Sequence, residues 1–350
     1  MKAIVKFGYG DREVEVRDVP APTVEPGQVL VATKAVGVCG SDVHMWRNNQ
    51  SWDIVIPVTM GHETAGVIAA VGEGVEGWAV GERVVCETAA YICGQCALCR
   101  TGRYNLCPYR QGYGNLRDGA FGEFLLGPPR VLHRIPESVP FEVAAMTEPF
   151  AVAYNALVER ATVNPGDLVV IQGFGAIGAL SLQVARLRGA STIVVLGTDR
   201  DELRLEQATA MGADHVVNVQ REDPAALVAR LHDGLGADVV VDATGVSIAL
   251  QQGLQLVRPL GSIVKIGWGP QPLGFSLDPL VQKAVTLYGS FSHSWNTWER
   301  VLGLFASGRL DPRGALGGVY PVEDWEEAFE AMESGRNIKS VIAVDPALLG

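Results

Sequence analysis

Cys93, Cys96, Cys99 and Cys107 follow one another as C-x2-C-x2-C-x7-C, and they are four of the six cysteines in a chain of 350 residues. Two-residue spacers let neighbouring thiolates converge on one ion at about 2.3 Å, and a later cysteine can close the tetrahedron. Four thiolates leave no open coordination position, so the spacing predicts a structural zinc. Short C-x2-C-x2-C runs also hold iron–sulfur clusters, but there the next cysteine usually follows after about three residues. Here the gap is seven, although Pro108 does follow Cys107. Cys86, in the apolar run RVVCE, fits neither pattern and reads as a small buried side chain.

A second set of ligand types is spread more widely. Cys39 stands alone after the apolar stretch 29–38 and is followed at once by Ser41, Asp42 and His44. About twenty residues on, Gly61-His62-Glu63 opens a glycine-spaced segment, and Glu148 lies in the run Thr147-Glu148-Pro149-Phe150. Three protein ligands plus an exchangeable position is the open, catalytic form of a zinc site. Cys39, His62, Glu63 and Glu148 offer one soft and several borderline ligands for such a site, with Cys39 and His62 the leading pair and Glu63 and Glu148 competing for the third place, or one of them holding a zinc-bound water. Asp42 either orients the ligand histidine from behind or serves as a turn residue.

The middle of the chain must position something else. Residues 169–172 are a β-rich run, followed directly by Gly173-Phe174-Gly175-Ala176-Ile177-Gly178 and a helical stretch over 179–188. G-x-G-x-x-G between strand and helix predicts a dinucleotide site: the glycines make the turn, admit a pyrophosphate and let the helix pack on the strand. The helix N-terminus then faces the phosphates with its partial positive charge. Strand-like runs at 193–196, 216–219, 238–242 and 263–266 alternate with helical stretches such as 201–211 and 225–231. That alternation predicts a doubly wound α/β sheet. A carboxylate that binds the adenosine ribose is expected about twenty residues past the glycines. Gly197 stands there instead, followed by Thr198-Asp199-Arg200. Either Asp199 takes the acidic role and the cofactor is NAD, or Gly197 leaves room for a 2′-phosphate bound by Thr198 and Arg200 and the cofactor is NADP. The reading leans slightly to NADP.

Composition excludes other classes. The formal net charge is -11 and the 28 basic residues are scattered, which argues against a nucleic-acid binder. No segment offers the roughly 18 uninterrupted apolar residues of a membrane span. The opening MKAIVKFGYGDREVEV reads as a strand rather than a signal peptide. A soluble, cytoplasmic protein is expected.

The sequence resembles the zinc-dependent medium-chain alcohol dehydrogenases along nearly its whole length. GHETAGVIAAVGEGV is similar to the zinc signature of that family, and CGSD, the four-cysteine lobe, GFGAIG and SGRNIKSVI fall in family order. CGSDVHMW with GHE and TEPFAVAYNAL looks like the polyol (sorbitol or xylitol) and threonine dehydrogenase branch. Typical alcohol dehydrogenases carry Cys at the position of Glu148, sorbitol dehydrogenases Tyr at Met45, and threonine dehydrogenases Thr at Ser41. The resemblance implies a GroES-like β-rich catalytic domain over residues 1–150 and 291–350, with two zincs, and a Rossmann domain over 151–290. It implies hydride transfer between NAD(P) and an alcohol, with a secondary hydroxyl of a polyol or sugar-like compound as the expected substrate. L-Threonine or another hydroxy compound is the alternative. Ser41 would take the hydroxyl proton and relay it through the cofactor ribose to His44. Lys339, where the family often places Arg, would reach the pyrophosphate. A homodimer or homotetramer is expected, joined near the apolar run 285–291. Trp46, Trp52, Trp268 and Trp295 are candidate substrate contacts, and His293 faces either substrate or a subunit contact. The rival classes are a zinc-independent reductase and a non-catalytic binding protein of the same fold.

Overall fold

The computed structural model describes residues Met1–Leu349. They divide into two units, one made of Met1–Glu148 and the chain from His293 onward, the other of Pro149–Ser292.

The unit Pro149–Ser292 is built on a six-stranded parallel sheet. Its strands lie in the order His215–Asn218, Thr192–Gly197, Leu168–Gln172, Ala237–Asp242, Val257–Lys265 and Thr286–Gly289. That is the doubly wound order, with a reversal beside Leu168–Gln172 and a ligand crevice expected at the carboxyl ends of the strands there. Every residue of Leu168–Gln172 is buried. A strand covered on both faces reads as a continuous apolar run, which is why the alternation was visible in sequence. Helix Ala176–Leu187 follows the central strand and packs seven buried residues, from Gly178 to Ala185, against the sheet.

The other unit is organised around the strand Val29–Gly37. Glu63–Val71 pairs with it antiparallel, from Val29 opposite Val71 to Gly37 opposite Glu63. On its other side Lys339–Ala343 also runs antiparallel, with Val341 opposite Gly37 and Ala343 opposite Ala35. This register sets Glu63, Gly37 and the start of the last strand side by side at one end of the sheet.

Helix Gly40–Trp46 starts directly beyond that end. Cys39 caps it, and the Cys39 amide donates to Asp42 Oδ2 at 2.9 Å. Trp46, at the other end, is fully buried and meets Trp325 and Phe329 of helix Trp325–Glu333 edge-on, with ring centroids 6.0 and 5.9 Å away. Trp46 is therefore a core residue and not a substrate contact. Its packing fixes the helix that carries Ser41, Asp42 and His44. Among the described residues no helix is long and apolar enough to cross a membrane.

Candidate functional site

Cys39, His62 and Glu63 each bring one ligand atom to a common point, all within 4.8 Å of one another. Cys39 arrives from the end of one strand, His62 and Glu63 from the start of its neighbour. A thiolate, an imidazole and a carboxylate form a donor set that suits zinc. Buried Asp42 lies behind the histidine, with Oδ1 3.8 Å from His62 Nδ1. At that distance the carboxylate acts on the imidazole through its charge rather than through a hydrogen bond. Burial alone would depress the His62 imidazolium, but Asp42, Cys39 and Glu148 raise it to about 10. So anion-rich a pocket favours a cation, and the residues present fit a divalent metal.

Lys339 lies beside Glu63. Its side chain is buried, and Nζ donates to Val38 O and to Glu63 Oε1, both at 2.6 Å. Burial pulls the ammonium down, yet Glu63 and Cys39 hold it above its ordinary value. The ammonium is thus enclosed within its own unit and paired with the Glu63 carboxylate.

Glu148 stands outside the three-residue group, in the first turn of helix Thr147–Tyr154, where a carboxylate is favoured by the helix dipole. It is close enough to His62 for each to shift the other's charge. Burial would raise its carboxyl, but the hydrogen bond from His293 and the charge of His62 bring it below the ordinary range. Its Oε1 is 3.1 Å from His293 Nε2. His293 Nδ1 in turn accepts from Trp298 Nε1 at 2.6 Å. The Trp298 ring stacks on His133, centroids 5.4 Å apart and 9° from parallel. His133 is clamped at both nitrogens, by Glu87 Oε1 at 3.0 Å and Glu299 Oε1 at 2.5 Å. Sequence reasoning reached His293 but none of the residues behind it. Spacing alone gave no signal for His133 or Glu87, whose partners lie far along the chain.

Ser41 and His44 sit one turn apart on helix Gly40–Trp46, a spacing that puts both on one face. His44 is exposed, and its Nδ1 is 2.7 Å from Asn49 Oδ1.

The four clustered cysteines also converge. Their sulfurs lie within 4.8 Å of one another, with Cys93 Sγ 3.9 Å from Cys99 Sγ and 3.7 Å from Cys107 Sγ. A tetrahedron with metal–sulfur bonds of about 2.3 Å has edges of roughly 3.8 Å. The separations fit that figure, and all six cysteines are free thiols. Amides of Gln95 and Cys96 stabilise the Cys93 thiolate and lower it to about 6. Burial and the neighbouring sulfurs of Cys96 and Cys107 push Cys99 up to about 12. Tyr104, inside the lobe, ties it to the rest of the unit by donating to Glu87 at 2.7 Å. Cys86 takes no part: it is buried and its thiol is pushed up to about 12 by burial.

In the other unit, Gly173-Phe174-Gly175-Ala176-Ile177-Gly178 forms the turn between Leu168–Gln172 and helix Ala176–Leu187. Gly173 has φ of 82°. A Cβ on Gly178 would fall 2.0 Å from Gly173 O, whereas one on Gly175 would meet no protein atom within 4 Å. The turn is thus closed on the helix side and open at Gly175, where a ligand's phosphates would approach.

Gly197 ends the strand Thr192–Gly197 and is buried. A Cβ there would lie 3.0 Å from both Asp201 and Leu205, so the tight turn that follows the strand leaves no room for a side chain at this position. The Thr198 hydroxyl donates to Asp201 Oδ2 at 2.8 Å. Asp199 Oδ1 accepts from Asn218 at 2.7 Å and pairs with Arg221 at 2.7 Å. Arg200 is exposed beside them.

Comparison with known proteins agrees across both units. The family model described as the alcohol dehydrogenase GroES-like domain matches residues 25–137, and that described as zinc-binding dehydrogenase matches 176–307. A sorbitol dehydrogenase of Halalkalibacterium halodurans is 38% identical, over 98% of this chain and 99% of its own. An L-threonine 3-dehydrogenase of Pyrococcus horikoshii is also 38% identical, over 97% of this chain and 98% of its own. The solved structure of a zinc-binding dehydrogenase from Sinorhizobium meliloti, bound to NADP, aligns with a TM-score of 0.89 and 26% identity over 98% of each chain.

Proposed function

The chain belongs to the zinc-binding alcohol dehydrogenases with a GroES-like N-terminal domain, and from that premise we propose that it oxidises a secondary hydroxyl of a polyol or sugar-like alcohol with NAD(P). The observation that carries this reading is the meeting of Cys39, His62 and Glu63 ligand atoms within 4.8 Å. Cys39 and His62 hold the catalytic zinc, with Glu63 or Glu148 as third ligand, and Cys93, Cys96, Cys99 and Cys107 hold a second, structural zinc. When bound, zinc supplies a Lewis acid for the alcohol oxygen and the dinucleotide supplies the hydride acceptor.

The chain's own residues do the rest. Asp42 steadies His62. Lys339 keeps Glu63 neutralised within the buried cluster. Ser41 takes the proton released by the hydroxyl, and His44, exposed on the same helix, hands it to solvent. Gly173, Gly175, Ala176, Ile177 and Gly178 hold the pyrophosphate of the dinucleotide. Gly197, Thr198, Asp199 and Arg200 face its adenosine ribose. NADP is the favoured form, because the usual carboxylate is absent at Gly197 and Asp199 is engaged by Asn218 and Arg221 while Arg200 is exposed.

L-Threonine is the second substrate reading, supported by a relative as similar as the sorbitol enzyme. The protein works as a homodimer or homotetramer joined at the edge strand Thr286–Gly289, which otherwise leaves backbone groups unpaired. It works in the cytoplasm, where six free cysteines stay reduced.

The test is metal content by elemental analysis before and after mild chelation, with turnover of polyols and L-threonine on NAD⁺ and NADP⁺. Two zincs per chain, one lost together with activity, are expected, and Cys39→Ser should hold one zinc, fold and turn nothing over. One tightly held zinc with activity indifferent to chelation would favour a zinc-independent reductase. No turnover on any alcohol would favour a binding protein.

A further inference from the structure

We propose that His293 is a positioning residue for Glu148, and that Trp298 fixes the tautomer in which it does so. The inference rests on the metal site proposed above. An indole N–H can only donate, so the 2.6 Å contact between Trp298 Nε1 and His293 Nδ1 makes Nδ1 an acceptor. In the neutral ring the proton then sits on Nε2, and the 3.1 Å bond to Glu148 Oε1 runs from imidazole to carboxylate. Thr88 Oγ1 is 3.4 Å from the same nitrogen and accepts from Arg110 at 2.7 Å, so the ring is steadied from that side as well.

The indole cannot turn away. It stacks on His133, which is held between Glu87 and Glu299, and it meets the His293 ring edge-on with centroids 5.0 Å apart. His133 fixes Trp298, Trp298 sets His293, and His293 holds one oxygen of Glu148. That bond engages Oε1 alone, while the carboxylate lies near enough to His62 for their charges to act on each other. The two glutamates of the site thereby divide their work. Glu63 is locked by Lys339, and Glu148 is held through Oε1 by the imidazole Nε2 of His293. A residue behind a metal ligand in this way typically contributes a factor of about 10–100 in metal affinity.

The experiment uses the full-length protein with zinc kept in the four-cysteine lobe and Co²⁺ loaded at the Cys39 site. Visible absorption reads the ligand field, and competition with a chelator reads affinity. His293→Phe should weaken Co²⁺ binding about 10–100-fold and shift the d–d bands, while lobe zinc stays at one per chain. His293→Gln, which keeps a donor near the Nε2 position, should recover most of the affinity and the wild-type bands. Trp298→Phe keeps the stack and removes the indole N–H, and should give an intermediate spectrum. Wild-type spectrum and affinity in His293→Phe would overturn the inference and leave the metal site standing. If His293→Phe fails to fold, a wild-type spectrum in Trp298→Phe overturns it instead. Absence of Co²⁺ binding at Cys39 in the wild-type protein would overturn the metal site and this inference with it.

Discussion

Glu63 and Lys339, 276 positions apart in sequence, form a fully buried ion pair across Gly37 of the strand between them. A Cβ on Gly37 would lie 2.0 Å from Glu63 Oε2 and 3.1 Å from Lys339 Cε, so the pair exists because the middle strand has no side chain there. Removing one partner of a buried pair leaves the other uncompensated, at a cost of about 3–5 kcal/mol. Lys339→Met should lose stability of that order in urea unfolding. Glu63→Gln with Lys339→Met should lose less than the two single losses added together. Additive losses would mean the pair is not coupled.

The four-thiolate lobe is expected to owe its order to its ion, since a site absent from the unfolded chain returns its binding energy as folding energy. Cys96→Ser should release one zinc per chain, lower the melting temperature and expose residues 93–107 to protease. Tyr104→Phe removes a hydrogen bond to the buried Glu87 carboxylate, and should cost about 1.5–3 kcal/mol without releasing the zinc at once. A Cys96→Ser protein with unchanged melting and full zinc content would remove the structural role.

Acid should remove the stability that paired surface carboxylates contribute. Arg47 holds Glu333 below its ordinary value of 4.5, and Lys34 with the Ala347 amide holds Asp345 below 3.8. A depressed carboxyl contributes stability that is present above its unfolded pKa and lost as pH falls through its folded one. The loss should therefore set in as pH drops below about 4 and deepen below the folded values. Arg47→Met lowers stability at neutral pH and leaves less to be lost in acid. The difference from wild type, followed by chemical unfolding at several pH values, should shrink as pH falls from 6 towards 3. A constant difference would mean the Arg47–Glu333 pair carries none of the effect.

Cofactor preference is expected to rest on Arg200. Removing a charge-assisted contact to phosphate costs about 1.5–3 kcal/mol, which is tenfold or more in affinity. Arg200→Ala should raise KM for NADP⁺ about tenfold and leave KM for NAD⁺ within a factor of about two. Equal changes for both cofactors would assign Arg200 no part in the discrimination.

Local signals were legible in the sequence, and those set by register were not. The strand–turn–helix around Gly173 and Gly178 was visible because strands buried on both faces are continuous apolar runs and the glycines are adjacent. The four cysteines were visible because their spacers are short. The pairing of Lys339 with Glu63 was not legible because it is decided by the register of Val341 with Gly37, and of Gly37 with Glu63, in two antiparallel ladders. What closes around Gly197 was not legible because it depends on how the turn at Asp201 folds back. Trp46 looked like a lining residue because an aromatic close to polar side chains in sequence can still point inward. The bond from Trp298 to His293 depends on a helix start, and no spacing rule announces it.

The unit that holds Cys39, His62 and Glu63 is assembled from two separate lengths of chain, with Pro149–Ser292 made in between. At about 5–20 residues per second, a ribosome releases Glu63 on the order of 14–55 s before Lys339, the interval of 276 positions between them. Through that interval the nascent strand end carries Glu63 without the ammonium that neutralises it, and Val29–Gly37 lacks a neighbour on one side. The inserted unit is contiguous and can finish folding while its host waits. The first 148 residues are thus a dependent fragment during synthesis, and truncation before Lys339 would strand them in that state.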